Sequence, residues 1–144
     1  MSDLRLLACA HLLEQGKRLD QLSTVLSGVA LAGALLAAVH YHALWMAALL
    51  ALTLLIGAVE KYWAIRVAFD AGLFARMAEA DDLAAATVQL DDGLTGLGLM
   101  PAANAGRDWT LRCQGALGLL RKQGLSFAAQ LLLAVAAVAA GVFC

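Results

Sequence analysis

Three long stretches without a single charge limit what this chain can fold into. Residues 22–39, 43–59 and 125–144 contain no Asp, Glu, Lys or Arg. A helix needs about 20 apolar residues to cross roughly 30 Å of hydrocarbon, and each stretch comes close to that length. Inside a bilayer every backbone N–H and C=O must find a partner within the protein, which makes helix the conformation for such runs. Period-two alternation is absent, so a β-barrel does not fit. Three buried helices of a water-soluble bundle are the competing reading, but the runs lack a polar stripe to face water.

Composition supports the same conclusion. Hydrophobic residues make up 62% of the 144 and charged ones 15%, against about 45–50% and 25% in soluble domains. A soluble domain of this size needs a polar shell that this chain does not supply. Intrinsic disorder is excluded by the same numbers. A net charge of −1 leaves no polycationic surface for nucleic acid.

The predicted architecture is an all-α integral membrane protein with three transmembrane helices. Its divisions are an N-terminal amphipathic segment at 1–21, a transmembrane hairpin at 22–59, a cytoplasmic helical region at 60–124 and a third span at 125–144. The first run begins too late, after a mixed-charge segment, to be a cleaved signal peptide. Leu6-Leu7-Ala8-Cys9 resembles a lipoprotein box, but too few residues precede Cys9 for an export core. In the amphipathic segment Leu4, Leu7, Ala8, Leu12 and Leu19 lie toward one face.

Lysine and arginine placement sets the expected orientation. Arg5, Lys17 and Arg18 precede the first span, Lys61 and Arg66 follow the second, and Arg121 and Lys122 precede the third. All ten basic residues fall on one side, the cytoplasm by the positive-inside rule. The N-terminus is then inside and the C-terminus outside, in a bacterial inner membrane. Tyr41 and Trp45, and Tyr62 and Trp63, suit the two interfacial aromatic belts.

The region 60–124 reads as further helices. Ile65, Phe69, Leu73 and Met77 form one stripe, and Leu83, Ala86, Leu90, Leu94 and Leu97 another, with a helix start at Asp81 or Asp82. Gly93, Gly96 and Gly98 soften the end of the second stripe. Met100-Pro101 to Gly106 is a loop, after which Asp108 caps a helix that feeds through Gly124 into the third span. Asp108 and Arg112 stand at the i,i+4 spacing of an ion pair. Phe69, Leu73, Leu83, Leu90 and Leu117 are the expected shared core of a cytoplasmic bundle. The chain shows no internal repeat, no coiled-coil heptad array and no low-complexity region beyond its richness in alanine and leucine.

Candidate chemistry is sparse. Cys9, Cys113 and Cys144 have no metal-binding spacing and read as small apolar residues. His40 and His42 flank Tyr41 at the outer boundary, without further ligands for haem or copper. The glycine-rich 93–98 stretch lacks the strand and G-K-[ST] ending of a nucleotide loop. Asp81-Asp82 and Asp91-Asp92 read as solvated faces and an N-cap rather than a divalent-cation site. We assign no catalytic residue, metal ligand or cofactor from sequence. The candidate functional residues are helix-packing ones: the small pairs Gly28/Ala32, Gly33/Ala37 and Ala137/Gly141, which permit close helix approach. The function expected on this basis is a small non-catalytic membrane subunit, a scaffold, assembly or regulatory partner. Its expected contacts are lipid, other membrane subunits or a second copy of itself, and no nucleic acid. An oligomeric channel or small transporter, with Ser23, Thr24 and Ser27 lining a path, is the alternative. A membrane enzyme using the cytoplasmic aspartates is the third reading.

Overall fold

A computed structural model describes residues 3–41 and 44–143, apart from the side chains of 40, 41, 142 and 143. Four α-helices make up most of it: α1 (Leu4–Leu36), α2 (Leu44–Ala78), α3 (Leu83–Gly96) and α4 (Trp109–Phe143). A π-helical turn, Ala37–Tyr41, continues from α1, and a 3-10 turn, Ala102–Asn104, lies between α3 and α4. No strand occurs among the described residues. Three of the helices, α1, α2 and α4, are long and apolar enough to cross a membrane.

Local chemistry explains the ends. The Asp3 side chain accepts from Arg5 N at 3.0 Å and starts α1. Asp82 does the same for α3 through Ala85 N, also at 3.0 Å. Gly98, with φ +69°, turns the chain out of α3 in a left-handed conformation that a β-carbon disfavours. Asp108 Oδ2 accepts from Thr110 N at 3.1 Å at the head of α4.

The three long helices run up, down and up. Asp3 N donates to Ala78 O at 3.2 Å, joining the start of α1 to the end of α2. Cys9 pairs with Cys113, Gly16 with Gln123 and Ser23 with Gln130, in the same order along both helices, so α1 and α4 are parallel. This arrangement gathers all ten basic residues into one half of the bundle. α2 packs against both of the others.

The helices meet along a heptad seam, contrary to our sequence reading. Buried residues on α2 are Leu50, Thr53, Gly57, Glu60, Ala64, Val67, Ala71, Phe74 and Ala78, spaced alternately by three and four. Cys9, Gly16, Ser23, Ala30 and Ala37 recur every seven residues along α1 and its π-turn. Ala116, Gln123, Gln130 and Ala137 do so on α4. A 3.5-residue repeat stays on a partner when helices wrap with a left-handed supercoil. The large apolar residues by which heptads are usually recognised do not mark it, because the seam is mostly small or polar.

Other expectations change for the same reason. From Leu4 onward the N-terminal segment belongs to α1, continuous with the first apolar run. It buries Leu6, Cys9, Ala10, Leu13 and Gly16, while Leu4 and Leu12 point outward. On α2 the seam takes Val67, Ala71 and Phe74 and leaves Ile65 and Phe69 exposed, so Phe69 is not a core residue. Leu83 and Leu117 do flank the core, but Leu90 does not reach it.

Candidate functional site

Two glutamines on α4, seven residues apart, build the most polar part of the interior. Gln123 and Gln130 are both 0% exposed, as are Ser23 and Thr53, and so is Glu60. Leaving such groups unpaired costs roughly 1–3 kcal/mol each, so their partners matter.

Each glutamine enters a notch made by a glycine. A β-carbon on Gly16 of α1 would lie 2.7 Å from Gln123 Oε1 and 2.8 Å from Val67 Cγ1. One on Gly57 of α2 would lie 2.6 Å from both Gln130 Nε2 and Ser27 Oγ. Neither notch tolerates a side chain without displacing the amide that fills it.

The first rung joins all three helices. Gln123 Nε2 donates to Gly16 O of α1 at 2.8 Å and to Glu60 Oε1 of α2 at 2.7 Å. Glu60 Oε2 and Gln123 Oε1 have no partner, although both are buried. In the second rung Ser23 Oγ donates to Gln130 Oε1 at 2.7 Å, and Gln130 Nε2 donates to Ser27 Oγ at 2.8 Å. Thr53 bonds its own helix at Leu49 O, 2.8 Å away. Outside the seam, Lys61 Nζ of α2 donates to Asp20 Oδ1 of α1 at 2.5 Å and also reaches Thr24 Oγ1. Lys122 of α4 lies over the Trp63 ring, 4.8 Å from its centroid.

The charged end is held differently. Leu6, Leu13, Val67, Phe74 and neighbouring side chains form a continuous apolar cluster. Cys9 and Cys113, read from sequence as plain apolar residues, are disulfide-bonded across it with Cα atoms 6.3 Å apart. Spacing in sequence could not reveal a pair separated by 104 residues. The short α3 is tied to α4 by polar hooks. Trp109 Nε1 donates to Thr87 Oγ1 at 2.9 Å. Asp91 Oδ2 accepts from Gly106 N at 2.7 Å and Arg112 Nη2 at 2.8 Å. Asp91 is only 4% exposed and therefore not on a solvated face. Arg112 pairs with it rather than with Asp108. The Arg112 hydrogen bond, helped by Gly106 N–H, holds the Asp91 carboxyl below the usual carboxylate range despite desolvation.

The helix-packing candidates separate into two groups. Gly33 lies against Leu50, where a β-carbon would come within 3.2 Å of Leu50 Cδ1. Ala37 is fully buried, and Ala137 packs with Ala30 and Leu50. Gly141 approaches Met46, whose Sδ would sit 2.7 Å from a β-carbon there. Gly28 and Ala32 instead face outward, and Gly28 has nothing within 4 Å of its missing β-carbon. His42 and Cys144 lie outside the described residues, as does the side chain of His40. Among the described residues, no three His, Cys, Asp or Glu side chains converge as a metal site.

Glu60, Gln123 and Gln130 were not singled out from sequence. Glu60 is the first charged residue after the second run, which made it look like the start of the water-facing region. A usable signal did exist: Gln123 and Gln130 are separated by seven, with Ala116 and Ala137 continuing the series. No protein family, curated protein or solved structure matches the chain.

Proposed function

We propose that the chain is a small non-catalytic membrane subunit whose work is structural, as a scaffold or assembly partner of other membrane proteins or of further copies of itself. The observation that carries this reading is the hydrogen-bonded ladder: the interior polar groups join helices to one another. Ser23 and Ser27, which a channel reading assigns to a path, are both engaged with Gln130. A bundle locked in register presents a fixed outer surface, and Gly28 and Ala32 occupy it within the most apolar part of α1. In lipid, where apolar helices gain little from meeting each other, small residues allow the close approach on which association depends.

In this proposal the three long helices span a bacterial inner membrane, with the N-terminus cytoplasmic and the C-terminus outside. The clustered basic residues support that orientation. The Cys9–Cys113 bond pulls the other way, because a reducing cytosol keeps thiols free. We favour the orientation set by charge, since basic residues adjoining all three spans agree. A reporter after residue 144 should then be active only outside the cytoplasm, and one within 102–106 only inside. Reporters on the same side would overturn the three-span topology.

The structural role is tested by mild-detergent purification with mass spectrometry and by cross-linking. Gly28→Leu should keep the protein inserted and folded while reducing its partner or oligomer yield; Leu36→Ala should not. Unchanged partners and oligomer size in Gly28→Leu would remove the support from this face. Solute or ion flux through the purified chain in liposomes would favour the channel reading instead.

A further inference from the structure

The first turns of α4 carry three attachments at the charged end. Trp109 and Arg112 hold α3, through Thr87 and Asp91. Cys113, next along the chain, is bonded to Cys9 of α1. The next polar contact between α1 and α4 is Gln123 Nε2 to Gly16 O, seven residues further along α1. The two cysteines differ in access. Cys9 is 2% exposed, within the apolar cluster. Cys113 is half-buried and lines a cavity of about 440 Å³ at the starts of α1 and α4, which Cys9 does not line. Arg5, Asp108 and Gln114 line the same cavity and are exposed, so it opens to solvent.

We propose that Cys9–Cys113 is a thiol–disulfide exchange site: a reversible clasp that a dithiol opens from the cavity through Cys113, and that the corresponding disulfide closes. The proposal rests on the orientation given under Proposed function, which puts the charged half in the cytoplasm. Disulfides in that reducing compartment are usually transient, catalytic or redox-sensing rather than permanent. Exchange needs a thiolate to reach a sulfur, and the cavity offers Cys113. The entering thiolate bonds to Cys113 Sγ as the bond to Cys9 Sγ breaks, and Cys9 leaves as a thiolate that takes up a proton. The second thiol of the dithiol, deprotonated, attacks the first one's sulfur and displaces Cys113, which is protonated in turn. Two electrons pass from the dithiol, now a disulfide, to the pair, now two thiols. Closure is the same sequence reversed, with the disulfide as oxidant. Opening removes the covalent tie at one end of the bundle only. α3 stays hooked to α4, so the two are freed from α1 together, and apolar packing such as Trp109 against Phe74 remains to hold them. The rungs at Gln123 and Gln130 are untouched.

Acid-quenched cells making the full chain with Cys144→Ser test this by tagging free thiols with a maleimide polymer, alongside the reporter within 102–106. Untreated cells should give a chain with two tags. Diamide, a thiol oxidant, should reduce this to none, and washing it out should restore two. In the purified chain in detergent, dithiothreitol should lower the melting temperature by on the order of 10 °C. It should also raise hydrogen exchange within 83–113 but not within 125–137. In the single variants Cys9→Ser and Cys113→Ser, dithiodipyridine should modify Cys113 at least about tenfold faster than Cys9. Tag counting keeps the bonded pair intact, so it decides the matter even if those variants fold poorly. No tags under any treatment, with the reporter inside, overturns the exchange site alone, because the bond is then permanent in the cytoplasm. No tags with the reporter outside overturns the orientation as well. Two tags that persist in diamide, equal reactivity of the two thiols, or a melt unchanged by dithiothreitol also overturns the proposal.

Discussion

The charged half of the bundle and its apolar half are built on opposite rules. In the charged half large side chains go inside: Leu6, Leu13, Val67 and Phe74 are buried together, with Trp109 edge-on to Phe74 at 5.4 Å between ring centroids. In the apolar half many of them go outside, although Leu50 is buried with Ala30 and Ala137. Val29, Leu35, Leu55, Leu132 and Val138 are all exposed, and the seam holds Ser23, Ala30, Thr53, Gly57, Gln130 and Ala137. Water makes burying apolar area favourable, which sorts residues by size and hydrophobicity. Lipid removes that drive, so contact is selected by closeness of approach and by hydrogen bonds with no competing solvent. The inversion is what the proposed membrane location requires, and it occurs within single uninterrupted helices.

The contrast can be broken most directly at its two extremes. Phe74→Ala should cost about 3–5 kcal/mol, the usual range for deleting a buried phenylalanine. Leu132→Ala, on an exposed side chain of the apolar half, should change stability by less than about 0.5 kcal/mol. Chemical or thermal unfolding in the same detergent measures both, and equal costs would mean that the two halves share one rule.

Asp91→Ala comes next, at about 3 kcal/mol, because it leaves Arg112 without its carboxylate where both side chains are largely enclosed. This replaces the few tenths that a solvated aspartate would give. The lowered Asp91 value also sets a sign. Its contribution is complete above the unfolded carboxylate range and is lost as pH falls through the folded value. Asp91→Asn should therefore flatten the acid limb of the stability–pH curve. An unchanged acid limb would show that the α3–α4 hook does not contribute.

Within the apolar half, Gln130→Leu should cost about 1–3 kcal/mol despite raising hydrophobicity, since Ser23 and Ser27 lose their partner. A more stable variant would show that hydrophobicity, not the ladder, governs this half. Gly57→Ala should cost a similar or slightly smaller amount, about 1–3 kcal/mol, because its methyl group meets the Gln130 amide. Gly28→Ala has open space and should be neutral or gain up to about 1 kcal/mol from helix propensity. The difference between those two alanines is the finest test of which glycines the fold uses.

The elements themselves are legible before any packing is known. Charge-free runs, Asp82, Asp108 and the glycines after Leu94 mark where helices persist, start and fail. Helix faces are less legible. Size alone puts Phe69 and Leu12 inward, and the seam places Val67 and Leu13 there instead. Glu60 shows the limit most clearly: a lone charge beside an apolar run reads as solvent-facing until a glutamine from another helix is found bonded to it.

Local chemistry therefore determined the all-helical class and the three apolar helices, because hydrogen bonding within a segment and hydropathy act over a few turns. The seam, the Cys9–Cys113 bond, the Asp91–Arg112 pair and the Glu60–Gln123 rung were decided only by tertiary structure. Each depends on residues about 20 to more than 100 positions apart meeting across helices. Meetings at that range are set by how helices approach one another, and here glycines at positions 16 and 57 set that approach by leaving room for a partner's side chain.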